Sequence, residues 1–344
     1  MTCAVHVLYE FGLDWRPHGS AYVRLLRPLS HPALQDKIKV TFAKDYHGES
    51  VDIVLLDRLW RPDVTLEMVA RLLTEVRKMG AQFYYSLDDD FLTLDARRTP
   101  WFTEQHREIA RFLLNEADRV LVTTRDLKER FSAHNGNIVI LPNMLDERLL
   151  IGGGVSSPRK QRIVIGYMGT PTHDDDLLLI LPALRAVAEE YPERVIFQLI
   201  GGVERADTWR KIHDLPLRVL RPHPSETEYL LFMLWFTSRV KWDIALAPLE
   251  DVSFNACKSD IKFLDYCAAG TAGIYSRVPA YANSVLHQET GLLVKNETYS
   301  WKQALKILIE DSSLRRRLSD SGQRYLYAER VLAKKATDWL KVLM

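Results

Sequence analysis

The chain of 344 residues holds three cysteines, Cys3, Cys257 and Cys267, and no two of them form a CxxC pair. So thin a supply argues against a disulfide framework or a structural zinc site and fits a reducing cytoplasm. Net charge is nearly absent: 46 basic residues oppose 45 acidic ones, leaving +1, so no global field draws the chain to nucleic acid. Long hydrophobic runs are missing as well. The longest apolar stretch, from Tyr229 to Phe236, is core-sized and far short of the ~20 residues a membrane helix needs. The first residues show neither a basic n-region nor an apolar h-region, so no signal peptide is expected. There is no GxSxG elbow and no GxxxxGK[ST] loop, which argues against a hydrolase or an NTPase. Gly166 and Gly169 follow a strand but lack GxGxxG spacing, so a nicotinamide site is not expected. No repeat of solenoid period occurs.

What is present is the composition of a globular protein, 47% hydrophobic and 26% charged, in a length that suits two domains. In the first half, short runs rich in β-branched and aromatic residues read as strands: Val5–Leu8, Ile38–Phe42, Val51–Leu56, Gln82–Ser86, Arg119–Val122 and Ile138–Leu141. Val69, Leu72, Leu73 and Val76 recur at helical period within Val64–Met79, and Gly80 suits the C-terminal cap. Strand–helix–strand alternation predicts an α/β fold with mostly parallel sheets. The pattern breaks near Leu150, where Gly152–Gly154 and Ser156-Ser157-Pro158 read as a linker. A second series follows. Strands are expected at Ile163–Met168, Val195–Ile200, Leu217–Leu220, Asp243–Ala247, Thr271–Tyr275 and Gly291–Val294, with helices over Asp174–Tyr191 and Ser259–Ala269. Trp301, Ala304, Leu305 and Leu308 share one helix face, and so do Leu332, Ala336, Trp339 and Leu343. Domains are expected at 1–150 and 151–326, with 327–344 a last helix crossing back to the first. In open parallel sheets ligands bind beyond the carboxyl ends of the strands, so two such sheets facing each other would make a deep cleft.

The segment from Asn255 to Gly270 carries the strongest chemical signal. A helix starting near Lys258 would place Lys258, Lys262 and Asp265 on one face, just after a loop bearing Asn255. A helix N-terminus with two nearby lysines attracts an anion, a diphosphate above all, and Asp265 could accept hydrogen bonds from ribose hydroxyls. The bland alternative is a surface helix with a Lys262–Asp265 pair. In the first half, Asp88, Asp89 and Asp90 directly follow a strand. Asp88 or Asp89 is a candidate site carboxylate at that strand end, with helix capping by Asp90 as the alternative. Gly19 permits close backbone approach to a ligand, and Arg24 and Arg58 are candidates for phosphate or acceptor contact. His173 lies at the mouth of the second domain, a candidate site residue, although a lone histidine is more often structural. The basic clusters Arg315–Arg317 and Lys334-Lys335 read as solvated helix faces or, more sharply, as peripheral contacts with an anionic membrane surface at the inner face of the membrane.

Asp265 through Gly270 matches an "acid-x-x-Ala-x-Gly" tail, and the segment resembles the donor-binding stretch of retaining GT-B glycosyltransferases, family 4 (glycosyl transferases group 1). The resemblance covers most of the chain. It includes Ile165–Asp176 with Gly169, Thr170 and His173, Ile200-Gly201-Gly202, Asp243–Leu249, Gly291–Val294, Trp301, and Leu141-Pro142-Asn143. It implies a GT-B fold of two Rossmann-like domains facing across a cleft. It also implies transfer of a sugar, with retention, from a nucleotide diphosphate donor to an acceptor hydroxyl on a glycan, lipid-linked or protein acceptor. The donor is a co-substrate, so no further cofactor and no metal is expected, and the family context is bacterial cell-surface polysaccharide or glycoconjugate synthesis. The donor-binding residues it implies are Gly169, Thr170, Asn255, Lys258, Ser259, Lys262 and Asp265; with it, Asp88 or Asp89 would be an acceptor-hydroxyl ligand or a stabiliser of positive sugar character, and His173 would meet the leaving diphosphate. Two departures stand out. Cys257 occupies the place of the family's first acidic residue, and Thr170–Asp176 is acidic where an arginine and a lysine are usual, leaving the phosphate charge to Lys258 and Lys262. Another GT-B enzyme, an epimerase or a phosphorylase, and a non-catalytic glycan- or partner-binding module are the alternatives.

Overall fold

A computed structural model describes residues 2–94, 99, 101–151, 162–170 and 173–344. The chain divides into two units: Met1–Glu147 with Cys257–Ser259 and Arg330–Met344, and Arg148–Ala256 with Asp260–Glu329. The linker expected around Gly152–Pro158 lies outside the described residues.

The first unit is built on strands β1 (Cys3–Leu8), β2 (Ile38–Ala43), β3 (Ile53–Asp57), β4 (Gln82–Leu87), β5 (Arg119–Val122) and β6 (Ile138–Ile140). They form one parallel sheet in the order β2-β1-β3-β4-β5-β6. Strand residues alternate between two apolar layers. Val54, Leu56, Phe83 and Tyr85 face the helices Leu66–Lys78, Glu104–Glu116 and Arg125–Phe131. Ile53, Leu55, Tyr84 and Leu121 face the opposite layer, which holds Leu25, Leu29 and the C-terminal Leu332, Trp339 and Leu343. The helix Leu66–Lys78 starts where Thr65 accepts the Met68 N–H and stops before Gly80, whose φ of +75° ends it.

The second unit holds β7 (Ile163–Gly169), β8 (Val195–Gly201), β9 (Leu217–Leu220), β10 (Ile244–Ala247), β11 (Ala272–Ser276) and β12 (Leu292–Val294). They pair in parallel as β12-β11-β10-β7-β8-β9. Counted from β7, this is the 3-2-1-4-5-6 order of dinucleotide-binding folds. The helices Asp174–Glu190 and Thr298–Glu310 cover one face, and the Trp301, Ala304, Leu305 and Leu308 stripe is buried there.

Two expected helices need correction. The single helix over 327–344 does not exist. The helix Ser312–Glu329 ends, Arg330 turns its guanidinium to Asn143 O (3.0 Å), and Val331 bridges to Leu145. Three short helical turns then follow, Leu332–Lys335, Ala336–Trp339 and Leu340–Leu343. The helix expected from 259 begins at Ile261, so Lys258 and Ser259 precede it.

Candidate functional site

In the second unit the topological switch lies between β7 and β10, where adjacent crossovers leave in opposite directions and open a crevice at the carboxyl ends. β7 ends on Gly169, and β8 ends on Gly201 with Gly202 beyond it. Gly201 takes φ +58°, and a Cβ there would sit 2.5 Å from the Gly169 carbonyl oxygen, so the two strand ends meet backbone to backbone. Thr170 is exposed beyond Gly169, and its carbonyl accepts the His173 N–H (3.1 Å).

The acidic turn after β7 is a brace. Asp174 accepts the Glu204 N–H (3.2 Å), Asp175 pairs with Arg205, and Asp176 accepts the Glu250 N–H (2.8 Å). Asp176 also meets His173 Nδ1 at 2.6 Å. Burial pushes its carboxyl up, but His173, the Glu250 N–H and the Lys262 charge outweigh that and hold it below its ordinary value. These acids tie the loops after β8 and β10 to the start of the Asp174–Glu190 helix, which accounts for their departure from a basic pattern. The β10 loop is held from its other side too: Ser276 Oγ accepts the Leu249 N–H (2.8 Å), and Asn296 Nδ2 donates to Leu249 O (2.8 Å).

Lys262 and Asp265 both lie on the helix Ile261–Ala268. The Lys262 ammonium sits 5.5 Å from the Tyr167 ring centroid. Asp265 is 7% exposed, and its Oδ1 has no hydrogen-bond partner. Burial pushes its carboxyl up to about 7, against the opposing pull of Lys262.

The other donor-segment candidates stand elsewhere. Asn255 is not in a loop. It lies in the short helix Ser253–Ala256, buried, with Nδ2 donating to Glu250 O (2.9 Å). Lys258 does not share a helix face with Lys262. Cys257 is buried in the apolar core of the first unit, its carbonyl accepts from Thr124 Oγ1 (3.0 Å), and Ser259 Oγ accepts from Asn143 (2.9 Å). These anchors hold 257–259 out of the helix, and Lys258 Nζ pairs with Asp89 at 3.3 Å.

In the first unit the switch lies between β1 and β3, and there the carboxyl ends carry a buried charge cluster. Arg58, with φ +47°, reaches Glu10 (3.1 Å), Asp88 (3.3 Å) and Asp89 (3.8 Å), and its guanidinium lies 4.9 Å from the Phe91 centroid. Asp57 is fully buried, and its Oδ2 accepts the Glu10 N–H (3.4 Å). Burial, then Glu10 and Asp88, push the Asp57 carboxyl up to about 8. Burial likewise raises Asp88, against the pull of Arg58. Arg24 is buried; its Nη1 donates to Leu141 O and to Asn143 Oδ1 (3.3 Å), just past the end of β6, while its Nε and Nη2 are buried without a hydrogen-bond partner. Gly19 is exposed at the first turn of the helical stretch that carries Arg24. Asp90 caps a turn rather than a helix, accepting from Leu92 N (3.2 Å) and Thr93 Oγ1 (2.6 Å).

Glu10, Asp57 and Asp176 belong to these sites and were not singled out from the sequence. Asp57 carried a signal: it closes the wholly apolar run Ile53–Leu56 at a strand's carboxyl end. Among the described residues no group of His, Cys, Asp and Glu side chains is arranged to hold a metal ion, and no helix is long and apolar enough to cross a membrane. Of the basic clusters, Arg315 has a structural task, donating to the Leu308 and Ile309 carbonyls at the end of Thr298–Glu310.

No protein-family model matches the sequence, and no curated protein matches it either. Solved structures do. HepE of Anabaena, crystallised with UDP and glucose, superposes with a TM-score of 0.69 over 99% of both chains at 12% identity. Sucrose-phosphate synthase from Thermosynechococcus elongatus gives 0.69 at 12% identity, over 99% of this chain and 98% of that one. WaaG, a glycosyltransferase involved in lipopolysaccharide biosynthesis, gives 0.65 at 13% identity, over 97% and 99%. With its two six-stranded parallel sheets and their flanking helices, the chain has the GT-B fold.

Proposed function

We propose that the protein is a glycosyltransferase that moves a sugar from a nucleotide diphosphate donor to an acceptor hydroxyl, with retention, in bacterial cell-surface polysaccharide or glycoconjugate synthesis. The observation that carries this reading is Asp265 Oδ1: a buried, unpartnered carboxylate oxygen on a helix beside the switch point of a 3-2-1-4-5-6 sheet. A buried acceptor without a donor is costly, and a ribose or sugar hydroxyl supplies one. Lys262 brings the positive charge for the diphosphate. The Gly169 and Gly201 strand ends, free of side chains, let phosphate oxygens approach backbone N–H groups. His173, held by Asp176, stands at the mouth of β7 and can donate to the departing diphosphate. HepE, of the same fold, has been crystallised with UDP-glucose, which supports a nucleotide-sugar ligand here.

In the first unit Asp89, the less buried of the two paired aspartates at the β4 end, is assigned to the acceptor hydroxyl. Lys258 is assigned to holding Asp89 rather than to the donor phosphates. Departure of the diphosphate leaves positive character at the anomeric carbon, which preorganised carboxylates stabilise.

The test is calorimetric titration with UDP-, GDP- and dTDP-sugars, followed by turnover on candidate acceptors and NMR of the product's anomeric configuration. Asp265→Asn is expected to weaken donor binding at least about tenfold, because one charge-assisted hydrogen bond is lost. Wild-type affinity should rise from pH 6 to pH 8 as the carboxyl near 7 ionises, and Asp265→Asn should flatten that slope. Unchanged affinity in Asp265→Asn would remove Asp265 from the site. Saturable binding with no turnover on any acceptor would make the protein a binding module.

A further inference from the structure

The loop after β1 exposes more apolar surface than its size explains. Leu13 is 88% exposed and Trp15 61%. The loop is nevertheless tightly built. Phe11 bridges to Pro17, the Gly12 N–H donates to Arg16 O (3.0 Å), and the Trp15 N–H donates to Gly12 O (2.9 Å). Trp15 takes φ +65°, a left-handed conformation unfavourable for a bulky side chain. Its ring stacks on Phe11, with centroids 5.4 Å apart and planes 15° from parallel, and the Lys44 ammonium lies 4.9 Å from its centroid. The molecule thus spends backbone strain to hold an indole in water.

The loop also carries polar groups beside the Lys44 ammonium that lies over the indole. At the base of the loop His18, itself partly exposed, places Nδ1 3.4 Å from Glu10 Oε2, and Glu10 joins the Arg58–Asp88–Asp89 cluster. The charges around the aromatic pair are of both signs, Asp14 and Glu10 against Arg16 and Lys44. That mixture has no net attraction for an anionic lipid surface. An exposed indole in a rigid loop whose base presents the partly exposed imidazole of His18 suits a pyranose ring, which has one face of C–H bonds and a rim of hydroxyls.

We propose that the Phe11–Pro17 loop is an acceptor-sugar subsite: the exposed indole of Trp15 stacks against the C–H face of a pyranose, and His18, held from behind by the buried Glu10, binds its hydroxyls. This rests on the glycosyltransferase reading and deepens it, because it makes the acceptor a glycan whose ring is held at the carboxyl end of β1.

Saturation-transfer NMR on the full chain with methyl β-D-glucopyranoside and methyl β-D-galactopyranoside tests it without requiring turnover. Transfer should concentrate on the ring protons of the C–H face. It should be lost in Trp15→Ala, retained in Trp15→Phe and unchanged in Leu13→Ser. Where an acceptor is turned over, Trp15→Ala should raise its KM roughly tenfold while leaving donor KM alone. Trp15 is mostly exposed, so these variants should keep the wild-type circular dichroism and melting temperature. Absence of transfer to either glycoside, or transfer that survives Trp15→Ala, overturns the proposal. So does co-sedimentation with phosphatidylglycerol vesicles that falls in both Leu13→Ser and Trp15→Ala, which would make the loop a membrane contact. UDP-glucose titration of the same samples separates this outcome from failure of the donor reading, since it reports on the second unit alone.

Discussion

Asp57 shows how one buried carboxyl sets the charge state of a whole cluster. Four carboxyl groups, Glu10, Asp57, Asp88 and Asp89, share a region with the cations Arg24, Arg58 and Lys258. Were all four ionised, the cluster would carry an uncompensated buried negative charge. Asp57 is the most deeply placed, and its carboxyl, at about 8, holds its proton at neutral pH, which restores the balance. Because the folded-state value lies above the ordinary one of 3.8, the folded state binds the extra proton. Its stabilising contribution is complete below about pH 4 and is lost as the pH rises toward 8. Asp57→Asn keeps the shape and removes the titration. Its stability relative to the parent should therefore rise with pH between 4 and 8, by a few kcal/mol at the order-of-magnitude level. Urea melts across that range measure the difference, and a difference flat with pH would mean that Asp57 ionises like an ordinary surface carboxyl. Cys257 makes the converse point. The sequence places it where the resembled family has an acid, but its side chain lies in the apolar core of the first unit, with burial raising the thiol to about 11. A neutral, inert group there cannot replace a carboxylate contact to sugar.

At the scale of elements, most strands were legible because each is a short apolar run with little to confuse it. The expected Ile163–Met168 and Leu217–Leu220 fall on β7 and β9 within one residue. The helices Glu104–Glu116 and Tyr229–Arg239 were not read. The second is apolar nearly all round, so its period carries no face to detect, and its length alone resembled a core segment. The order of strands in each sheet, which locates both candidate sites, leaves no mark in local sequence at all. Nor did spacing reveal that Lys258 precedes its helix, because the Cys257, Thr124 and Asn143 anchors that exclude it come from distant positions. Gly166, which fails the dinucleotide fingerprint, has a packing reason instead. A Cβ there would lie 1.8 Å from the Trp242 indole, which rests on β7 and donates to Gln198 (3.0 Å). Gly166→Ala should cost at least ~3 kcal/mol, the upper end of ordinary overpacking, because a rigid buried indole cannot yield. A chemical melt and the recovery of soluble protein check it; a cost below about 1 kcal/mol would show that Trp242 can shift.

At the scale of the molecule, the last fifteen residues are separated in sequence from the rest of the unit they complete. Leu332, Ala336, Trp339, Val342 and Leu343 share a core layer with Val5, Val7, Ile53, Leu55 and Leu121. The heptad-like spacing of four of them was visible, but as one continuous helix. The break at Arg330, where the Leu145 N–H donates to Arg330 O and the Leu332 N–H to Leu145 O (both 2.9 Å), depends on a partner nearly two hundred residues away. That architecture makes a local prediction with an unequal outcome. Trp339 is 5% exposed, and truncating it to alanine should cost ~3–5 kcal/mol. The loss falls on one core, since the second unit is built around a separate cluster of Ile165, Leu181, Ile244 and Trp301. In Trp339→Ala, native-state hydrogen exchange should therefore accelerate in β1, β3 and β5 while the amides of β7, β10 and β11 keep their protection. Equal acceleration in both sheets would mean that the two units unfold as one cooperative block. No change in either would mean that the tail is only loosely docked on the first sheet.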